Sequence, residues 1–389
     1  MASKPLLIAG TVMMVALSSS AAGQQNEEGL RDSYQRGIEA LERGEYRVYA
    51  ESFERVVRLM PEADLNRPFM MYHLARAYAF LGDSLRATRW LDVLLGENIE
   101  SLMVYYATLD PAFESIRAST PFQRVMAKMR EREVQIAPVQ GSVYLLQGAG
   151  ANIAASIGED GTLLVDAGYE PAAGAIRRAL DRDGAGPVRF LVDTHAHEDH
   201  VGGNERLGSH AVIVSHPATR TALLTLRDFI EGVTIPPKPS EALPVITAAS
   251  VTSLHFNGEE VRLIPLPGHT DGDLIVHFTG SRVIHMGDRF FPGQRRHIYP
   301  GDDPETYMAT MDALLEGLPA DTRVITGHDP VQRVEVLATA HAATVEAIDW
   351  IREGIAAGRS LEELQQEGAA RDLSAGWVAG VYGALSRTR

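Results

Sequence analysis

The 389-residue sequence contains no cysteine. This absence excludes disulfide bonds, thiolate metal sites and a cysteine nucleophile, so any metal ligand must be a histidine or a carboxylate. Cations are also in deficit, because 36 Lys and Arg residues stand against 51 Asp and Glu residues, for a net charge of −15. Since a phosphate-binding surface needs a basic face, this balance argues against nucleic acid or an anionic membrane as a partner.

The N-terminal apolar run, residues 5–17, is too short to span a bilayer. It follows Lys4 and precedes the small residues Ala21-Ala22-Gly23, which is the layout of a signal peptide. We therefore expect residues 1–23 to direct export, to the periplasm if the source is a Gram-negative cell. Without cysteine there is no lipoprotein anchor, so we expect no membrane anchor after processing.

Residues 24–135 are predicted to be helical. Gly44 and Gly82 lie 38 residues apart, and Phe53 and Leu91 repeat that offset. This pattern resembles tetratricopeptide repeats, which stack helix pairs. The resemblance implies either a surface for a protein partner or a domain that only packs on its neighbour. A plain helical bundle stays open as an alternative.

From residue 139 the pattern changes to short strand-like runs between Gly-rich turns. The predicted strands are residues 143–147, 152–157, 162–165, 188–193, 211–214, 251–256, 261–266, 274–278 and 283–286. The predicted helices are residues 172–180 and 217–230, followed by a mostly helical segment, 331–389. This order predicts a layered α/β domain over residues 139–330, with its sheets buried between helices.

A segment rich in helix and strand breakers covers residues 232–244 and contains Pro236-Pro237-Lys238-Pro239. Proline cannot continue a helix or a central strand. The segment is therefore predicted to be either a loop over a binding site or a rigid connector.

Four candidate metal ligands fall within six residues, directly after the predicted strand 188–193: His195, His197, Asp199 and His200. In an extended segment, side chains at i and i+2 point the same way, so His195 and His197 can converge on one ion. Asp199 and His200 follow after a short bend and can reach a second ion. Their position at the end of a strand is typical of binding sites in α/β folds. Glu198, between these ligands, is expected to be either solvated or a supporting neighbour.

Three later positions repeat one local pattern, in which a strand end is followed by glycine and then by a ligand-type residue. These residues are His269 after Gly268, Asp288 after Gly287 and His328 after Gly327. Glycine lets the backbone turn tightly and approach an ion closely.

This ordered set resembles the metallo-β-lactamase superfamily over residues 139–330. The resemblance implies an αββα sandwich with two metal ions at one edge. It implies that the first ion is held by His195, His197 and His269, the second by Asp199, His200 and His328, and that Asp288 bridges both. It also implies that Asp166 supports the ligand loop from behind; capping a turn is its alternative role.

Imidazole and carboxylate ligands suit two zinc ions, while iron and manganese stay open. Such ions lower the pKa of bound water far below its value in bulk water, toward ~7, which supplies hydroxide at neutral pH. Asp199 and His269 are the predicted catalytic residues, and Asp199 can orient the water or accept its proton. We expect hydrolysis of a lactam, lactone, ester or thioester bond in a small-molecule substrate.

At two positions the sequence differs from the broad-spectrum β-lactamases, which favours hydrolysis of another bond over β-lactam hydrolysis. Asp288 stands where those enzymes mostly carry cysteine, and resembles the choice of thioesterases and lactonases. Phe291 stands where one lactamase class has a substrate-binding lysine. Arg289, Arg295 and Arg296 are either substitute cations or solvated surface residues.

Two other functions stay open. One is an iron-dependent redox member of the same fold, similar to persulfide dioxygenases. The other is an interaction protein that uses the repeat-like region, with a secondary metal site. Ser-His-Asp catalysis has no Gly-x-Ser-x-Gly motif to support it.

Overall fold

The computed structural model describes residues 21–62, 64, 66–95, 101–230, 233–292 and 303–387. Most of the predicted signal peptide lies outside these ranges, as do Arg295 and Arg296. The described chain divides into two compact units. Of the described residues, those up to 131 and those in 226–236 form the helical unit, while those in 132–225 and from 237 onward form the sandwich unit. None of the described helices is both long enough and apolar enough to span a membrane.

The helical unit contains α1 (Ala21–Glu42), α2 (Tyr46–Leu59), α3 (Arg67–Phe80), α4 (Ser84–Leu95), α5 (Ser101–Tyr106) and α6 (Thr120–Arg130). It also contains a hairpin of β7 (Arg227–Ile230) and β8 (Val233–Ile235). Helix α1 packs on α2, α2 on α3, and α3 on α4. Gly44 and Gly82 turn the chain between paired helices at φ +70 and +72, a conformation that glycine adopts without strain. The predicted helical region is thus observed, while its tetratricopeptide identity and any protein partner stay predictions.

The strands of the sandwich unit before the ligand loop are β1 (Gln135–Gln140), β2 (Val143–Gln147), β3 (Ile153–Gly158), β4 (Gly161–Val165) and β5 (Val188–Val192). Those after it are β6 (Val212–Ser215), β9 (Ile246–Thr247), β10 (Thr252–Phe256), β11 (Glu259–Pro265), β12 (Leu274–Phe278), β13 (Val283–His285), β14 (Arg323–Ile325) and β15 (Gln332–Arg333). Its helices are α7 (Ala173–Arg182), α8 (Glu198–Val201), α9 (Asn204–Leu207), α10 (Pro217–Leu223), α11 (Pro304–Glu316), α12 (Val334–Ala356), α13 (Leu361–Ala369) and α14 (Ala375–Arg387).

These strands form two sheets. The first has the order β1-β2-β3-β4-β5-β6-β9, antiparallel as far as β4 and parallel from β4 to β9. The second has the order β10-β11-β12-β13-β14-β15, in which only β13 and β14 pair in parallel. Because the ligand-bearing loops follow β5, β11, β13 and β14, both sheets contribute to one site.

Strand β12 explains why the two sheets are buried between helices. All its residues are buried, and alternate side chains point to opposite faces. Val276 and Phe278 join the core between the sheets, where they meet residues such as Val165 of β4. Ile275 joins a second core that α11, α12 and α14 complete on the outer face. The α/β sandwich expected from the sequence is therefore observed.

The predicted helix over residues 217–230 is wrong in its second half. Helix α10 ends at Leu223, and residues 227–230 form β7, which pairs with β8. The residues that follow Leu226 include Phe229, Ile230 and Val233, which favour strands. Pairing across a short connection outweighs the apolar run that suggested a helix.

Strand β1 was not predicted, because its residues lie where the predicted helical region ends, at 135, and the strand-like pattern begins, at 139. It pairs with β2 in antiparallel register, from Gln135 opposite Gln147 to Gln140 opposite Val143. Pro138 lies within it, and proline is tolerated only on edge strands or at bulges. β1 is an edge strand with a register shift between Pro138 and Gln140, so it meets both conditions.

Candidate metal centre

The structure brings together all seven residues predicted to bind metal. They fall into two groups. Within each group, the candidate ligand atoms all lie within 4.8 Å of one another. The first group is His195, His197, His269 and Asp288, and the second is Asp199, His200 and His328. The loop after β5 and the start of α8 supply four of these residues, and the loops after β11, β13 and β14 supply the others.

In the first group, three imidazole nitrogens face one another. His197 Nδ1 lies 3.0 Å from His195 Nε2 and 3.0 Å from His269 Nε2. Two nitrogens bound to one tetrahedral zinc ion at 2.0–2.1 Å would lie ~3.3 Å apart. His197 is exposed and His195 is buried, so this group lies at the mouth of the site.

In the second group, His328 Nε2 lies 3.2 Å from Asp199 Oδ2, and His200 Nε2 lies 3.6 Å from the same oxygen. All three residues are largely buried, with side chains 0–8% exposed. The buried Nε2 atoms of both histidines have no partner at hydrogen-bonding geometry. Buried polar atoms are rarely left so, and a cation between these groups would satisfy them.

The Asp288 carboxylate reaches both groups. Oδ2 lies 3.4 Å from His269 Nε2 and 3.4 Å from His328 Nε2, and Oδ1 lies 3.4 Å from His200 Nε2. A carboxylate in this position can offset the repulsion between two nearby cations. The donor set therefore fits a pair of divalent ions such as zinc.

Burial and charge act differently on the two groups. Burial lowers the pKa of His269 to about 3 and that of His195 well below its usual value, so both are neutral imidazoles that can donate a lone pair. Burial also works to lower the pKa of His328, but Asp288 and Asp199 outweigh it and raise that pKa to about 10. The His328 imidazole therefore carries a proton at neutral pH beside these carboxylates, and a metal ion that binds it must displace that proton.

Asp166 lies behind the second group, as the resemblance implied. Its carboxylate accepts hydrogen bonds from Thr194 N at 2.8 Å and Thr194 Oγ1 at 2.9 Å, and lies 2.7 Å from His200 Nδ1. Its backbone has φ +69, a conformation that is strained for a residue with a side chain. A carboxylate on Nδ1 fixes the His200 tautomer, so that Nε2 is left to bind metal.

Asn152 supports the loop that carries His328, and the sequence analysis did not single it out. Its Nδ2 donates to the carbonyls of Thr326 at 2.9 Å and Asp329 at 2.8 Å, and its backbone N donates to Gly327 O at 2.6 Å. Asn152 is 4% exposed. A polar residue at the start of a strongly apolar predicted strand is a local signal that could have marked it.

For two charged residues, the structure excludes the solvated one of the two expected roles. Glu198 is fully buried rather than solvated, and its Oε2 lies 2.5 Å from Lys238 Nζ. Arg289 is 2% exposed rather than on the surface, with its guanidinium 5.6 Å from the centre of the Tyr307 ring. The contact of Glu198 comes from Lys238 and that of Arg289 from Tyr307 on α11.

Phe291 stands beside the second group. Its ring is stacked on the His328 imidazole, with centroids 6.3 Å apart and planes at 5°. The position that carries a lysine in one lactamase class is therefore an apolar wall in this chain.

Known proteins resemble this part of the chain. Residues 136–328 match the model of the metallo-β-lactamase superfamily. Hydroxyacylglutathione hydrolase of Nitrosococcus oceani is 30% identical over 146 residues, which are 37% of this chain and 50% of that protein. A probable metallo-hydrolase of Bacillus subtilis, YqgX, is 24% identical over 209 residues, which are 52% of this chain and 91% of that protein.

A solved metallo-β-lactamase from Pontibacter korlensis has a TM-score of 0.43 at 18% identity, covering 54% of this chain and 98% of that one. The chain spans about half the length of the first curated relatives it matches. All seven candidate ligands lie within the residues that match the superfamily model. The chain therefore contains a metallo-β-lactamase superfamily domain over residues 136–328.

Proposed function

We propose that this protein is a binuclear metal-dependent hydrolase, with zinc as the metal, that cleaves a carbonyl-centred bond in a small molecule. One observation carries the proposal: Asp288 reaches histidines of both ligand groups at 3.4 Å. A carboxylate shared in this way suits two ions close together. Hydrolysis of one bond by one water is a reaction that such a pair promotes.

Divalent ions, when bound, act as Lewis acids and lower the pKa of water toward ~7. The chain supplies the rest. His195, His197 and His269 would hold one ion, while Asp199, His200 and His328 would hold the other. His200 and His328 hold the pKa of Asp199 at about 2 against the effect of burial, so its carboxylate is ionised at neutral pH. Its carboxylate lies next to both histidines of the second group, where it can orient the attacking water and accept its proton.

A thioester is the substrate class we favour among lactams, lactones, esters and thioesters. Curated relatives from several organisms are named hydroxyacylglutathione hydrolase, an enzyme of an acylated thiol. Phe291, stacked on His328, supports this choice, because it offers no charge to the carboxylate of a β-lactam.

The test combines metal analysis with a substrate panel. Purified protein should contain about two metal equivalents, and a chelator should abolish turnover that added zinc restores. The panel is S-D-lactoylglutathione, an acyl-homoserine lactone, an aryl ester and a β-lactam, with thioester turnover expected to be the fastest. Protein that stays metal-free in zinc buffer would contradict the proposal. If the β-lactam were turned over fastest, only the proposed substrate class would be wrong.

We also propose that residues 1–23 form a signal peptide that directs export to the periplasm. The supporting observation is the layout of Lys4, the apolar run and Ala21-Ala22-Gly23. Expression in a Gram-negative host should give a periplasmic protein whose intact mass begins at Gln24. A cytoplasmic protein with an uncleaved N-terminus would contradict this proposal.

A further inference from the structure

The breaker-rich segment that follows β8 contacts residues 196–204, which include the ligands His197, Asp199 and His200, at three points. Lys238 Nζ lies 2.5 Å from Glu198 Oε2, and the carbonyl of Ala242 accepts a hydrogen bond from Asn204 Nδ2 at 3.2 Å. Leu243 belongs to a small apolar cluster with Ala196 and Val201. We call residues 237–243 the strap. It contacts the chain on both sides of the ligands Asp199 and His200.

The strap is itself fixed at both ends within the sandwich unit. Lys238 N donates to Leu223 O at the end of α10, at 2.8 Å. Beyond the strap, β9 pairs in parallel with β6, so that Ile246 lies opposite Val214. A segment anchored in this way can restrict the movement of the residues around Asp199 and His200 that it contacts.

The contact between Lys238 and Glu198 is unusual in its burial. The Glu198 side chain is fully buried and the Lys238 side chain is 13% exposed. Lys238 is one of three lysines in a sequence with 36 Lys and Arg residues. The other described ion pair of a lysine, Lys128 with Asp92, is exposed at 52% and 43%. A charge pair removed from water is costly to break on one side only, because the remaining charge stays buried.

Glu198 is the first residue of α8, the short helix that also contains Asp199 and His200. An ion pair on Glu198 therefore limits the movement of both ligands. The first group is less dependent on it, since His269 and Asp288 come from other loops.

We propose that Lys238 is a positioning residue of the metal centre: through its ion pair with Glu198, the strap holds Asp199 and His200 in place to bind the second ion. This inference rests on the proposed binding of two ions. It assigns a role to a residue 38 positions beyond the last ligand of the loop, in a segment with no ligand of its own.

Removing the Lys238 charge distinguishes a positioning role from a direct electrostatic effect of the lysine on metal affinity. Loss of a nearby positive charge, taken alone, would make the site more attractive to cations and tighten metal binding. Loss of positioning would weaken it. The two effects have opposite signs, so the direction of the change is decisive.

The experiment titrates metal-free full-length protein with Co²⁺, following the d–d absorbance and a competing chromophoric chelator. The variants are Lys238→Met, Lys238→Arg and the double variant Glu198→Gln/Lys238→Met, with Lys128→Met as the matched lysine control. We expect Lys238→Met to weaken the second Co²⁺ by about tenfold or more, as loss of a supporting contact typically does. The first Co²⁺ and the Lys128→Met titration should change little, and Lys238→Arg should recover most of the loss.

The double variant guards against a folding defect, because it buries no unpaired charge. Its melting temperature should recover toward the wild-type value while its second Co²⁺ stays weak. Recovery of both properties, or a Lys238→Met protein that binds the second Co²⁺ unchanged or more tightly, would overturn the inference. Wild-type protein that binds no second ion would instead overturn the proposed function.

Discussion

His73 in the helical unit is partly buried and His200 in the sandwich unit is fully buried, and their pKa values shift in opposite directions. Burial lowers the pKa of His73 to about 3, and the nearby Arg76 adds to the effect. Burial also works to lower the pKa of His200, but three surrounding carboxylates outweigh it and raise that pKa well above its usual value. The same side chain is therefore kept neutral in one unit and made a site for positive charge in the other.

The surroundings explain this difference. The His73 ring stacks on Phe53 with centroids 4.7 Å apart, and its Nδ1 lies 2.6 Å from the Tyr49 hydroxyl. Those contacts satisfy a neutral ring and leave no role for a cation. His200 instead lies among acidic groups, one of which, Asp288, also contacts the first ligand group. Burial alone therefore does not mark a metal ligand, since His73 packs against an aromatic ring whereas His200 faces acidic groups.

The largest effect is expected from a substitution at Asp288, which links the two ligand groups. Replacing Asp288 with alanine removes a carboxylate that reaches both groups, so the two ions should no longer be held together. We expect turnover to fall by more than about 10²-fold, beyond the loss typical of residues that only support ligands. Elemental analysis should find about one metal equivalent less. The control is Asp181→Ala, an exposed aspartate on α7, and equal activity in the two variants would contradict the bridging role.

A smaller effect is expected from Gly327→Ala. A Cβ at this position would collide with Asp288 Oδ1 and would lie 3.3 Å from His200 Cε1. The bridging carboxylate would have to move, and a misplacement of about 1 Å can cost up to about 10²-fold in rate. Gly317→Ala is the matched control, because its Cβ would meet nothing closer than 3.6 Å. Steady-state kinetics and metal content should differ between the two variants; similar values would mean that the Asp288 position tolerates displacement.

Replacing Asp166 with asparagine should affect the second group alone. The amide can present its NH₂ to His200 Nδ1, which favours the tautomer with its proton on Nε2, the atom that would bind metal. We expect affinity for the second ion to fall by about 10-fold while the first ion is retained. Stepwise Co²⁺ titration measures both constants. A parallel loss of both ions would show that Asp166 supports the whole loop rather than the His200 tautomer.

The sequence was sufficient to predict what depends on local pattern. The spacing of His195, His197, Asp199 and His200 after an apolar strand needs only the alternation of side chains along the chain. Glycine before Asp288 also has a local reason, since Gly287 has φ +52. The sheets between helices followed from apolar runs such as Leu274–Phe278, which are buried on both faces.

Features that depend on distant pairing could not be predicted in the same way. The contact of Glu198 with Lys238 joins residues 40 positions apart, and nothing in either local sequence specifies the other. Asn152 reaches Thr326 and Asp329 across more than 170 positions. The strand at residues 227–230 has a nearer partner, because it pairs with β8 across a short connection, and this pairing outweighs its helix-like apolar content. In each case, tertiary contacts decide what local preference leaves open.

The smallest expected effect lies in the helical unit and concerns stability rather than turnover. Since the folded pKa of His73 is about 3 and its unfolded value is 6.5, the unfolded chain binds more protons between these values. The stability that depends on a neutral His73 is complete above pH 6.5 and falls as pH drops, by at most about 1.4 kcal/mol per pH unit. His73→Gln, whose amide oxygen can accept from Tyr49, should lower stability slightly at pH 7 and flatten this dependence. Hydrogen exchange of peptides from α2 and α3, compared at each pH, isolates the helical unit from acid release of metal. An unchanged slope would mean that His73 gains its proton without unfolding, and the contrast with His200 would then be one of degree only.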